Sequence, residues 1–155
     1  MAIIILDYED DLEPVLELHC GDNSASSLAV VVEQPVWESI EKGIVNSFKF
    51  GGFVRVEVIR PKKSFVRQLS MKSLPGSFRI NILTRSTNPK EEYLEWWGLD
   101  ESPYRGMIKF GDDDFDSRTV CTDVSIAEAV FKELYETGDL DVGLSQMRSP
   151  WNPKP

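Results

Sequence analysis

The chain has 155 residues, 41% apolar and 28% charged, with a formal net charge of −9 and two cysteines. A single domain of this length buries roughly two-thirds of its unfolded surface, so neither disulfide nor metal is needed for stability, and the composition excludes a disordered chain. An acidic balance of this size also disfavours nucleic acid and membrane surfaces as partners.

Near the N-terminus, Ile3, Ile4, Ile5 and Leu6 precede Asp7, Glu9, Asp10 and Asp11 with no basic flank. The run is shorter than the about 7 to 15 apolar residues of a signal peptide or the about 20 of a membrane span, and it reads as a buried strand. Cys20 and Cys121 lie far apart on strand-like runs, which predicts two buried free thiols in a reducing cytoplasm.

Charge falls in blocks. Residues 1–50 carry ten acids and two bases, residues 51–90 one acid and nine bases, and residues 91–155 fifteen acids and six bases. Two arrangements accommodate this: the acidic ends fold against the basic middle, or an acidic face stays exposed and steers a basic protein at long range.

Elements follow from period and punctuation. Gly21 to Ser27 reads as a loop and Leu28 to Val32 as a buried strand. After Pro35, Trp37, Ile40, Ile44 and Phe48 fall at helical spacing until Gly51 and Gly52. From Phe53 the period becomes two: Val54, Val56 and Val58 share one face, Arg55 and Glu57 the other. A second strand over 64–70 and a third carrying Phe78, Ile80 and Ile82 follow, separated by a Leu74-Pro75-Gly76 turn, so the middle third predicts an antiparallel meander with one wet face. Asn88, Pro89 and Glu91 look like a helix start for a short helix bearing Tyr93, Leu94, Trp96 and Trp97. Gly106 to Phe110 reads as a strand, Asp112 to Asp116 as an acidic hairpin loop, and Arg118 to Thr122 as another strand. Ser125 and Glu128 form a capping box for a helix ended by Gly138, with Glu128 and Lys132 an i,i+4 pair. Residues 141–155 read as an extended tail. The whole predicts one α+β domain, an antiparallel or mixed sheet packed by two or three helices.

No residue set points to catalysis. His19 is the only histidine, and adjacent His19 and Cys20 in a strand face opposite ways, which excludes an easy Cys-His pair. Glycine spacing offers no phosphate loop, and zinc has no evident ligand set. Asp112, Asp114 and Asp116 match the first, third and fifth positions of a calcium loop, but Ser117 stands where glycine is required and Asp123 where glutamate is. Arg55, Arg67 and Arg79 with Phe53, Phe65 and Phe78 would suit a base-stacking sheet, which the acidic ends oppose. Trp96, Trp97 and Trp151 are recognition candidates, against core roles for Trp97 with Tyr93 and a tail-pinning role for Trp151.

A small acidic α+β chain without a catalytic motif, with tryptophans and a Tyr104-Arg105-Gly106-Met107-Ile108-Lys109-Phe110 run before a capped helix, resembles bacterial immunity proteins of contact-dependent or polymorphic toxin systems. Those families share no functional residues that carry over by position. The resemblance implies a cytoplasmic inhibitor that binds one cognate toxin, often a nuclease with a basic cleft. On that reading Asp112, Asp113, Asp114 and Asp116 steer the partner and Trp96 and Trp151 anchor it, with no cofactor, metal, nucleic acid or membrane involved. The alternatives are a divalent-metal hydrolase or nuclease built on the aspartate run, and a non-catalytic adaptor that pairs through a sheet edge.

Overall fold

The computed structural model describes residues 13–24, 29–98 and 106–150. The expected strand at Ile3 to Leu6 lies outside them, as does Trp151.

The chain forms one α+β domain. Strand β1 (Val15–Asp22) pairs antiparallel with both β2 (Val30–Glu33) and β3 (Gly52–Arg60), and α1 (Trp37–Phe50) connects β2 to β3. The meander continues through β4 (Val66–Leu74) and β5 (Ser77–Thr84) to β6 (Tyr93–Trp96). Next come the ribbon strands β7 (Met107–Phe110) and β8 (Asp113–Asp116), helix α2 (Val124–Thr137) and the short strand β9 (Met147–Arg148). The main sheet runs β2-β1-β3-β4-β5-β6-β9, and β7-β8 stands as a separate two-stranded sheet.

Alternation decides the faces. Leu16 and Leu18 of β1, Val54, Val56 and Val58 of β3, Leu69 and Met71 of β4, and Phe78, Ile80 and Ile82 of β5 are buried under the helices. Helix α1 contributes Ile40 and Ile44, and α2 contributes Ala127, Val130, Phe131 and Leu134, to the same core. Ser47 of α1 is buried too, its hydroxyl 3.1 Å from that of Ser73 on β4, so this polar pair is satisfied across the helix–sheet seam. At the helix end Gly51 takes φ 83° and donates to the Ser47 carbonyl at 2.7 Å; a side chain on Gly52, φ 140°, would run into the Gly21 carbonyl oxygen.

Five expectations change. The 30–33 strand is an edge, not a buried strand: α1 packs mainly on β1, β3 and β4, so Val30 and Val31 are exposed and only Val32 packs against the core, while Leu28 lies outside the described residues. The segment read as a helix from Asn88 is a turn followed by strand β6, whose Leu94 and Glu95 pair with Ile82 and Asn81. Asp113 to Asp116 are a strand; the turn of the ribbon is at Gly111 and Asp112. Ser117–Thr119 is a 3-10 turn, and Cys121 bridges to the main sheet at Phe78. Helix α2 is capped by Asp123, whose carboxylate accepts from the Ser125 amide at 3.0 Å and hydroxyl at 2.7 Å, while Lys132 meets Glu136 at 4.0 Å instead of Glu128.

Of the expected tail, Gly143–Gln146 forms a 3-10 turn and β9 closes the sheet against β6. Glu133 of α2 holds that turn by accepting the Val142 and Gly143 amides, each at 2.9 Å. Arg85 spans the sheet end, donating to the carbonyls of Val58, Ser64 and Val66 at 2.8 to 3.3 Å.

Candidate functional site

The β7-β8 ribbon gathers four of the six residues picked out by sequence. In the register Met107↔Asp116, Ile108↔Phe115, Lys109↔Asp114, Phe110↔Asp113, each cross-strand pair shares a face. Phe110 is buried, Phe115 is half-buried, and their rings meet edge to face at 6.3 Å. The Arg79 guanidinium of β5 lies 3.7 Å from the centre of the Phe115 ring, and Arg79 forms an ion pair with Glu95 of β6 at 2.6 Å. The ribbon is thus fastened to the polar face of the sheet by an aromatic ring stacked on an ion-paired arginine.

What the ribbon leaves outside is mixed. Met107 is 58% and Ile108 40% exposed, and Asp112, Asp113 and Asp114 are exposed. Asp116 differs from them. Its carboxylate takes two guanidinium bonds from Arg118, at 3.0 and 2.8 Å, and the Arg118 amide at 2.9 Å; these bonds hold it below the usual carboxylate range against the opposing effect of burial. It is a structural cap of the 3-10 turn and is not available for steering. Alternation sends Asp113 and Asp114 to opposite faces, so the aspartate run makes no convergent cation cage among the described residues, and the calcium-loop match has no structural counterpart.

Trp96 leaves the anchoring set. It is 9% exposed, because β6 is a strand that turns Leu94 and Trp96 toward the core. Trp97 is also buried, with the guanidinium groups of Arg118 and Arg148 at 4.9 and 5.3 Å from its ring. The base-stacking arrangement dissolves as well: Phe78 faces the core while Arg79 faces out beneath Phe115.

A second constellation was not legible from spacing alone. On the polar face, β1 carries Glu17 and His19, and Glu57 of β3 lies directly across from Glu17. Their ligand-type atoms all fall within 4.8 Å of one another, all three side chains are half-buried, and His19 Nε2 is 2.6 Å from Glu17 Oε1. The pattern Glu-x-His in a strand was visible; the partner on β3 required the register. Cys20 points the other way, toward Gly43 of α1, as alternation requires, and no His-Cys pair forms. Burial raises the Cys20 thiol, with Asp22 adding to the effect, and pushes Cys121 up to about 12. Both thiols are free, Cys121 buried and Cys20 half-buried.

The charge blocks meet at Arg79–Glu95, where the basic middle touches the acidic C-terminal third. No helix among the described residues is long and apolar enough to cross a membrane.

Among known proteins, a crystal structure of a hypothetical protein from Neisseria gonorrhoeae is similar in fold, with TM-score 0.58 and 15% identity over 79% of this chain and 87% of that one. No curated protein matches the sequence. A family of unknown function, DUF6911, matches residues 16–144, from β1 to the 3-10 turn after α2, and the chain belongs to that family.

Proposed function

We propose that this chain is a protein-binding module that captures a basic protein on its β7-β8 ribbon, in the manner of a cytoplasmic immunity protein neutralising a toxin. The observation that carries the reading is the ribbon itself, clamped to the sheet through Phe115: Met107 is exposed on the face that carries Lys109 and Asp114, Ile108 on the face that carries Asp113, and Asp112 at the turn between them. Exposed apolar side chains beside a cluster that stays net acidic, three aspartates against Lys109, are how an interface combines desolvated anchors with long-range attraction. The aspartates accelerate encounter, and Met107 and Ile108 slow release. Met107 and Ile108 take over the anchoring role first assigned to Trp96.

The test is affinity capture from the source organism's lysate with wild type, an Asp112→Asn/Asp113→Asn/Asp114→Asn variant and a Met107→Ser/Ile108→Ser variant. The expected result is one basic protein retained in stoichiometric amount by wild type and lost from both variants. Retention indifferent to both variants, or no retained protein, refutes the reading.

The adaptor reading is favoured by one observation, the exposed Val30 and Val31 on edge strand β2. It predicts concentration-dependent self-association or strand pairing that Val31→Lys abolishes, measured by sedimentation.

A further inference from the structure

We infer that Glu17, His19 and Glu57 form a binding site for a divalent transition-metal ion on the polar face of the sheet. The argument starts from backbone register. Glu17 and His19 are two apart on β1 and therefore share a face, and antiparallel pairing sets Glu57 of β3 on that same face opposite Glu17. The pairing does more than bring donors together. Glu33 of β2 lies opposite Glu17 on its other side, so three glutamates stand in one row across β2, β1 and β3. Like charges directly opposite one another on neighbouring strands are destabilising, and a row of three calls for a cation.

The cation of the adjoining row does not supply it. Arg55 lies opposite His19 in the adjoining row, yet its guanidinium sits 5.9 Å from the Phe53 ring centre, and it makes no ion pair with either glutamate among the described residues. Its Nε is buried without a hydrogen-bond partner.

The donor geometry suits an ion. Donors bound at about 2.1 Å in a tetrahedral arrangement stand roughly 3.4 Å apart, and the three donor atoms here lie within 4.8 Å of one another. Side-chain rotation of about an ångström closes the set, and the short His19–Glu17 contact of 2.6 Å opens to admit the ion between them. One imidazole nitrogen with two carboxylates selects zinc, cobalt or nickel over magnesium and calcium, which prefer oxygen alone. Three protein ligands leave at least one position for water or an outside group. The half-burial of all three side chains keeps that position reachable from solvent.

The experiment uses the full chain stripped with a chelator, titrated calorimetrically with zinc chloride and spectroscopically with cobalt(II). The expected result is one equivalent bound, with His19→Gln and Glu57→Gln each weakening binding at least about tenfold. The Asp112→Asn/Asp113→Asn/Asp114→Asn and Cys20→Ser/Cys121→Ser variants should bind as wild type does. Glu57→Gln supplies an independent readout because it also removes the like-charge pair. In chelator its melting midpoint should equal or exceed that of wild type, and zinc should raise the wild-type midpoint but not the variant's. Circular dichroism in chelator shows that each variant is folded. Absence of saturable zinc binding to wild type overturns the proposal. So does binding that survives both substitutions, binding that the cysteine variant abolishes, or calcium competing on equal terms.

Discussion

Replacing Glu95 by alanine strands a nearly buried cation. The Arg79 and Glu95 side chains are each 12% exposed, the pair is 2.6 Å long through a terminal guanidinium nitrogen, Phe115 covers the guanidinium at 3.7 Å, and Arg79 Nε is buried without a hydrogen-bond partner among the described residues. Removing one member of a buried pair costs about 3–5 kcal/mol, and the residual exposure puts this site at the lower end, about 3 kcal/mol. Against a total stability of about 5–15 kcal/mol this is a large loss, and at about 2–4 °C per kcal/mol it lowers the melting midpoint by roughly 6–12 °C. The double variant Arg79→Met/Glu95→Leu strands no charge and leaves an apolar pair beneath Phe115. It should cost less than the sum of the singles by at least about 1.5 kcal/mol. Urea unfolding of wild type, Arg79→Met, Glu95→Leu and the double variant, followed by tryptophan fluorescence, gives the coupling. Single losses that add to within about 0.5 kcal/mol would show that the pair is not desolvated and that the ribbon is not clamped where Phe115 meets Arg79.

Asp139 accepts the amides of Phe65, Val66 and Leu140 at 2.9 to 3.0 Å, so Asp139→Ala leaves the start of β4 without acceptors and should cost about 2–3 kcal/mol in thermal unfolding, with asparagine costing less. A loss under about 0.5 kcal/mol would contradict that role. A thiol reagent applied to the native chain at mildly alkaline pH should leave Cys121 unmodified and reach Cys20 slowly, with both reacting in urea, since burial raises both thiols and Cys121 to about 12. Rapid native labelling of Cys121 would refute its burial. Asp116 and Asp123 sit below their ordinary value of 3.8, held there first by side-chain hydrogen bonds from Arg118 and Ser125. A depressed folded-state value means their stabilisation is complete above about 3.8 and is lost as pH falls through that lower value. The midpoint advantage of wild type over Asp116→Asn and Asp123→Asn should therefore shrink steadily from about pH 5 to about pH 2. An advantage that does not change with pH would contradict the assignment.

Much of the fold is legible in the sequence where one period runs uninterrupted between strong stops. The α1 face of Ile40 and Ile44 ends at Gly51, the β3 alternation of Val54, Val56 and Val58 turns after Arg60, and α2 stops at Gly138 in a left-handed conformation with φ 77°. Reading β6 as a helix failed for a physical reason. Asn88, Pro89 and Glu91 imitate a cap, and Tyr93 and Trp97 imitate one helical face, but the open edge of β5 offers backbone partners that a four-residue segment cannot supply to itself. The aspartate run misled in the opposite direction, since charge suggested a loop while Gly111, φ 66°, allowed a tight turn and a paired strand. Asp112 to Asp114 were legible as exposed acids. Met107 and Ile108 were passed over because an apolar strand reads as core, and the link between Glu17 and Glu57 depends on strand register, which composition does not encode.

The decisive measurement is the association rate of the captured basic partner with wild type and with the Asp112→Asn/Asp113→Asn/Asp114→Asn variant across a range of ionic strength. Binding through the ribbon predicts a wild-type rate that falls steeply with salt, and a variant rate that is slower and flatter at nearly unchanged dissociation. Equal rates with the same salt dependence would contradict it and remove the acidic ribbon from recognition.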